Sequence, residues 1–197
     1  MDSFPKKRKI LSLSNKTVSV SLSFFTAHSQ NTEKLVYEKI LENSLKEAAQ
    51  ILYRFLKTRP RSSFECEKRL YKEGFLAYEV ESVIESFKVQ NFLNDLTFAT
   101  YFVESLQSQR PLGEFALKHK LKEKGISPTI IEEVLKPYLE NDEMMIESAH
   151  LLICKNHYRF EKYSSQEKYD KIFQYLFSRG FSKRIIEITL KEILRNN

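Results

Sequence analysis

The sequence predicts an all-α protein made of three tandem three-helix repeats, an elongated, curved helical array with a small β-hairpin before it. Three observations lead there. The chain repeats itself: Arg59-Pro60, Leu70, Gly74 and Ile84 return 51 residues later as Arg110-Pro111, Leu121, Gly125 and Leu135. A third copy ends in Leu176, Gly180, Ile186 and Leu190, each 55 residues after its counterpart in the second, so about four residues are inserted upstream of Leu176. A period near 50 marks a supersecondary unit used several times, and arrays of such units usually work by presenting a surface. Second, four glycines and five prolines in 197 residues leave little turn material for an all-β fold. Third, apolar residues recur at helical spacing from residue 33 onward.

Residues 1–43 read as an N-terminal basic segment, with Lys6-Lys7-Arg8-Lys9, a possible hairpin and a leading helix. Thr17 to Phe24 alternates polar and apolar residues, a strand pattern that 10–13 can pair with across Ser14-Asn15-Lys16. From Glu33 to Arg54 the spacing turns helical, with Leu35, Ile40, Leu41, Leu45, Ala48, Ala49, Leu52 and Phe55 on one broad apolar stripe. The repeats are bounded at 44–95, 96–141 and 142–197.

In each repeat a first helix is expected over 44–57, 96–109 and 143–158. Asn94 or Asp95 and Asn141 or Asp142 stand at N-cap positions. Second helices cover 62–73, 112–124 and 165–179, and Gly74, Gly125 and Gly180 each follow the last turn, where a left-handed residue closes a helix. Ser127-Pro128 and Ser182 then open third helices, while the first copy has Leu76 and lacks that cap. The third helices carry Val80, Val83, Ile84, Phe87; Ile131, Val134, Leu135, Tyr138; and Ile186, Thr189, Leu190, Ile193, each set on one face. Pro137 should kink or shorten the second of these.

These residues resemble the RecX family. The likeness is carried by Arg59-Pro60-Arg61-Ser62 with Leu70 and Gly74-Phe75, by Leu93-Asn94-Asp95 with Phe98-Ala99 and Tyr101-Phe102, by Leu121 with Lys124-Gly125-Ile126, and by Arg179-Gly180-Phe181-Ser182 with Ile186. It covers about residues 44–195. The resemblance implies a small basic bacterial protein of three three-helix repeats that binds in the groove of the RecA–DNA filament. It further implies control of RecA, limiting ATP hydrolysis, strand exchange and co-protease activity in recombination and the SOS response. Asn91 departs from the pattern, standing where the family usually has glycine, and Lys155-Asn156-His157 is less basic than the family leads one to expect.

The net charge of +6 and pI near 9.1 favour polyanionic partners, nucleic acid or a protein wrapped around it. Basic residues recur at the helix junctions: Lys57, Arg59 and Arg61, then Arg110, Lys118, Lys120, Lys122 and Lys124, then Arg179, Lys183 and Arg184. Equivalent placement in each copy is expected to form a stripe tracking single- or double-stranded DNA or an acidic filament groove. A solvated helix face is the competing reading, since Glu114 and Glu123 dilute the cluster. Most tyrosines and phenylalanines fall on apolar faces, leaving exposed ones such as Tyr71 or Tyr158 for stacking on bases.

His150, Cys154 and His157 share a helical face, yet no fourth ligand is near in sequence, and a helix packing Cys154 inward with the histidines at its margins is the simpler reading. Cys66 occupies the slot of Leu117 and Ile172, a small buried hydrophobe, and two cysteines suit a reducing, cytoplasmic setting. No run of 18 apolar residues offers a membrane span, and Asn15 and Lys16 interrupt any signal-peptide core. Phosphate-binding glycine loops and nucleophile elbows are absent, so no enzyme, cofactor or metal is expected. A monomer is expected because the copies supply each other's partners. Besides a RecA regulator, a DNA-binding module acting without RecA and a protein-only adaptor remain open at this stage.

Overall fold

The computed structural model describes residues 27–195, and the expected hairpin over 10–24 lies outside them. The described residues are helical: α1 Ala27–Leu56, α2 Ser63–Glu73, α3 Ala77–Val89, α4 Asp95–Gln109, α5 Glu114–Glu123, α6 Pro128–Glu140, α7 Asp142–Lys155, α8 Ser165–Ser178 and α9 Lys183–Arg195. They form three successive three-helix repeats. A short 3-10 turn, His157–Arg159, interrupts the α7–α8 connection.

The chain divides into two compact units, one of residues up to Pro60 with Cys66–Phe92, the other of Arg61–Glu65 with Leu93–Asn197. In the first, α1 packs on α3. Ala48 and Leu52 from α1, Cys66 and Leu70 from α2, and Val80, Val83, Ile84 and Phe87 from α3 are buried. The leading helix and the first helix of the repeat are one uninterrupted α1, because no glycine or proline lies within it. Helix α3 begins at Leu76, which cannot cap. Its place is taken by Glu79, whose Oε2 accepts from the Leu76 N–H at 2.7 Å and whose other oxygen accepts from the Ser44 hydroxyl. A buried carboxylate thus satisfies the N-cap N–H from inside the helix, whereas in the other copies Ser127 and Ser182 accept from the N–H groups of Ile130 and Ile185 in the first turn.

In the second unit α4 packs on α6, α5 on α6, α7 on α9, α8 on α9 and α6 on α7. Leu117 and Leu121 of α5, Ile131 and Leu135 of α6, and Ile172, Leu176, Ile186 and Leu190 of the last repeat share one core. The Thr189 hydroxyl, fully buried there, donates to the Ile185 carbonyl at 2.8 Å. Asn94 caps α4 by accepting from Thr97 N–H at 3.0 Å, and Asn141 caps α7 by accepting from Glu143 N–H at 2.9 Å. Pro137 does not end α6, which continues to Glu140: so near the C-terminus its ring removes a single hydrogen bond and little helix remains to disrupt.

One joint occurs twice in this unit. The N–H of Gly113 donates to the Arg179 carbonyl at 3.0 Å and that of Phe115 to the Gly180 carbonyl at 3.1 Å, so donors opening α5 meet acceptors closing α8. Helix ends carry unpaired groups of opposite polarity, and placing one against the other satisfies both. At the position 51 residues before Gly113, the Ser62 hydroxyl donates to the Lys124 carbonyl at 2.7 Å, again at the end of a second helix.

Candidate nucleic-acid interface

The junction cations do not all remain available. Lys120 Nζ lies 2.8 Å from Glu123, which also faces His119 Nε2 at 3.2 Å, and the Lys120 hydrogen bond holds the Glu123 carboxyl below its ordinary value. Lys124 turns inward, 2.9 Å from Glu65 and 5.6 Å from the Phe102 ring centroid. Lys183 sits 3.7 Å from Glu187, and Arg184 pairs with Asp142. On a helix, residues two apart point nearly oppositely, so Lys118 and Lys122 share one side of α5, and Lys120 shares the other with Lys124 at the C-cap.

Lys57 and Arg59 belong to the first unit and Arg61 to the second. Lys57 Nζ stands 5.3 Å over the Tyr53 ring, and Arg59 Nη1 donates to the Pro60 carbonyl at 3.0 Å. Arg61 is half-buried, Arg110 and Lys122 are exposed, and Lys118 is half-buried. Among the described residues no carboxylate pairs with Arg110, Lys118, Lys122 or Arg179.

A second cationic group, not singled out in the sequence, gathers at the α7–α8 connection. This connection spans 156–164, against 110–113 between α4 and α5, and so contains the insertion that shifts the repeat spacing. Phe160 anchors it, buried and 5.7 Å from the Tyr175 ring. Beside that anchor Arg159 lies 4.9 Å over Tyr175, which Arg179 approaches at 5.3 Å. Lys162 and Lys171 stand 5.2 and 5.9 Å from the Tyr163 ring centroid. Arg159, Lys162 and Lys171, with Tyr158, Tyr163 and Tyr175, line an open cleft of about 560 Å³ with no carboxylate in its wall. The signal available in the sequence was the alternation of basic and aromatic residues in Tyr158-Arg159-Phe160-Glu161-Lys162-Tyr163.

His150 of α7 and His157 of the 3-10 turn after it are otherwise engaged. His150 Nε2 lies 2.9 Å from Glu192, and His157 Nδ1 donates to the Cys154 carbonyl at 2.9 Å. Cys154 faces solvent and not the core, because Met145, Ala149, Leu152 and Ile153 complete the inward stripe and the next residue lies past its edge. Among the described residues no group of three His, Cys, Asp or Glu side chains is placed to hold a metal ion. Among them, too, no helix is long and apolar enough to cross a membrane.

Three tandem three-helix units whose middle helices end in left-handed glycines, with cations at the junctions, define a helical-repeat protein. Residues 94–135 match the family model described as RecX, second three-helix domain. The regulatory protein RecX of Chlorobium phaeobacteroides (strain BS1) is 31% identical over 152 residues, 77% of this chain and 96% of that protein. The chain belongs to the RecX family, and its role is regulatory. The crystal structure of RecX from Lactobacillus salivarius shares the fold with a TM-score of 0.69 at 24% identity, covering 77% of this chain and 97% of that one. A second crystal structure, of a regulatory protein RecX, has a TM-score of 0.72 at 21% identity over 81% and 77% of the two chains.

Proposed function

We propose that this chain binds the RecA–DNA filament in the cytoplasm and inhibits RecA, lowering its ATPase, strand-exchange and co-protease activities during recombination and DNA repair. The observation that carries this reading is the 31% identity to a regulatory RecX across nearly that protein's whole length. The net charge of +6 and the reuse of one helical unit support it, since a repeated basic element suits a repeating polyanionic partner. The contact surface draws on the junction cations, foremost Arg110, Lys118, Lys122 and Arg179, with which no carboxylate pairs among the described residues. No catalytic step is assigned to the chain.

RecA assembled on single-stranded DNA tests the proposal. Saturating protein should suppress ATP hydrolysis and co-protease cleavage, and unchanged rates of both sink it. An Arg110→Glu, Lys122→Glu variant should inhibit less at equal concentration while keeping its helicity, because both side chains are exposed. A DNA-binding module acting without RecA is the second reading, favoured by the cation-lined cleft beside α8. In that case bare DNA binds tightly enough to be the main partner, with affinity falling steeply as salt rises.

A further inference from the structure

We infer that the cleft between the α7–α8 connection and α8 is a binding site for a single-stranded polynucleotide, one base stacking on Tyr158 and the adjoining phosphate lying among Arg159, Lys162 and Lys171. The inference deepens the filament reading and rests on it for the presence of a single strand nearby. The chemistry of the cleft stands apart from RecA.

The site is built and not merely a solvated face. Burying Phe160 fixes the connection against α8, and the 3-10 turn just before it delivers Tyr158 and Arg159 to the rim. The counterpart connection in the second repeat has four residues, too few to carry an equivalent wall. Three cations, Arg159, Lys162 and Lys171, surround an open volume of about 560 Å³ without a lining carboxylate, so an anion entering it meets converging positive charge. That volume lies in the range of small-ligand clefts and admits a nucleotide unit of a chain.

The aromatic rings select among polyanions. Tyr163 and Tyr175 hold the flanking cations at 4.9 to 5.9 Å from their ring centroids, which limits the side-chain freedom lost when a phosphate arrives. Tyr158 differs. The residue is 64% exposed and its ring meets His157 edge-on at 6.3 Å, leaving a face on which a base can stack. Duplex DNA hides its base faces and would use the cations alone, as would an acidic peptide. A ring presented beside phosphate-binding cations fits unpaired bases.

Fluorescence anisotropy of a labelled oligothymidylate with the full chain, in the absence of RecA, tests this, with a duplex probe and polyglutamate alongside. Tyr158→Ala should weaken oligothymidylate binding roughly fivefold or more, leave duplex binding unchanged, and be rescued by Tyr158→Phe. Lys162→Glu with Lys171→Glu should weaken it as well and flatten its salt dependence, by roughly one to two in the log–log slope. Circular dichroism reports whether each variant stays folded, and Tyr158 is exposed enough that its truncation leaves the core intact. Oligothymidylate binding that is undetectable, or within about twofold of the parent in Tyr158→Ala, overturns the inference. Equal losses for duplex, or for polyglutamate, overturn it in favour of a general anionic surface or an acidic protein partner. Tyr158-dependent binding in a chain that leaves RecA activity untouched overturns the filament reading and keeps the cleft. RecA inhibition that persists in a Tyr158→Ala chain with unchanged oligothymidylate affinity does the reverse.

Discussion

The turn at Gly74 and the turn at Gly180 are copies of one sequence element, yet their surroundings place opposite demands on it. Both glycines close the second helix of a repeat with positive φ, 92° and 82°. Around Gly74 a Cβ would meet nothing within 4 Å, whereas at Gly180 it would come to 2.5 Å from the Ala116 backbone nitrogen and 2.6 Å from the Ala116 Cβ. One glycine serves the backbone angle alone. The other also lets the end of α8 approach the start of α5 closely enough for the Gly180 carbonyl to accept the Phe115 N–H at 3.1 Å. A motif repeated along a chain can therefore be a local turn in one copy and a packing joint in the next.

Substitutions measure how far this difference goes. Gly180→Ala should cost most, about 3 kcal/mol or more, because left-handed strain adds to overpacking against backbone that cannot swing aside. Urea unfolding reads that loss directly. Gly113→Ala comes next at about 2 kcal/mol. Its backbone is ordinary at φ −75°, but a Cβ there would overlap the backbone of Gly180 and Phe181, so this variant isolates the close approach from the angle. Gly74→Ala isolates the angle, with an expected cost of about 1 kcal/mol. Thermal melts showing Gly74→Ala as damaging as Gly180→Ala would remove the distinction.

The smallest effect is expected at Asn91, which follows α3 with φ 61°. Asparagine tolerates this region better than other non-glycine residues, so Asn91→Gly should raise stability by no more than about 0.5 kcal/mol. A larger gain would mean that the asparagine side chain itself is strained in the native turn.

The same division between local and distant demands governs how much of the molecule was readable in advance. Cys66, Leu117 and Ile172 fill equivalent buried positions, and Asn94 and Asn141 cap the helices they precede. These follow from spacing and from residues within one turn of each other. The candidate site was less legible. Lys124 and Arg184 looked like surface cations until Glu65 and Asp142, 59 and 42 residues away in the chain, were found beside them. Helix α3 looked uncapped until the Glu79 carboxylate was found reaching back to Leu76 with Ser44 upon it. Arg159, Lys162 and Lys171 are ordinary basic residues until the fold brings two tyrosines beneath them.

What could be read from the linear order was the repeated three-helix unit, its glycine ends and the apolar seam of each third helix, because helical periodicity and left-handed turns depend on residues a few positions apart. Which glycine must also admit a neighbouring backbone, which cations are neutralised, and where a cleft opens depended on segments dozens of residues apart meeting in space, since close packing and charge pairing act over a few ångströms whatever the distance along the chain.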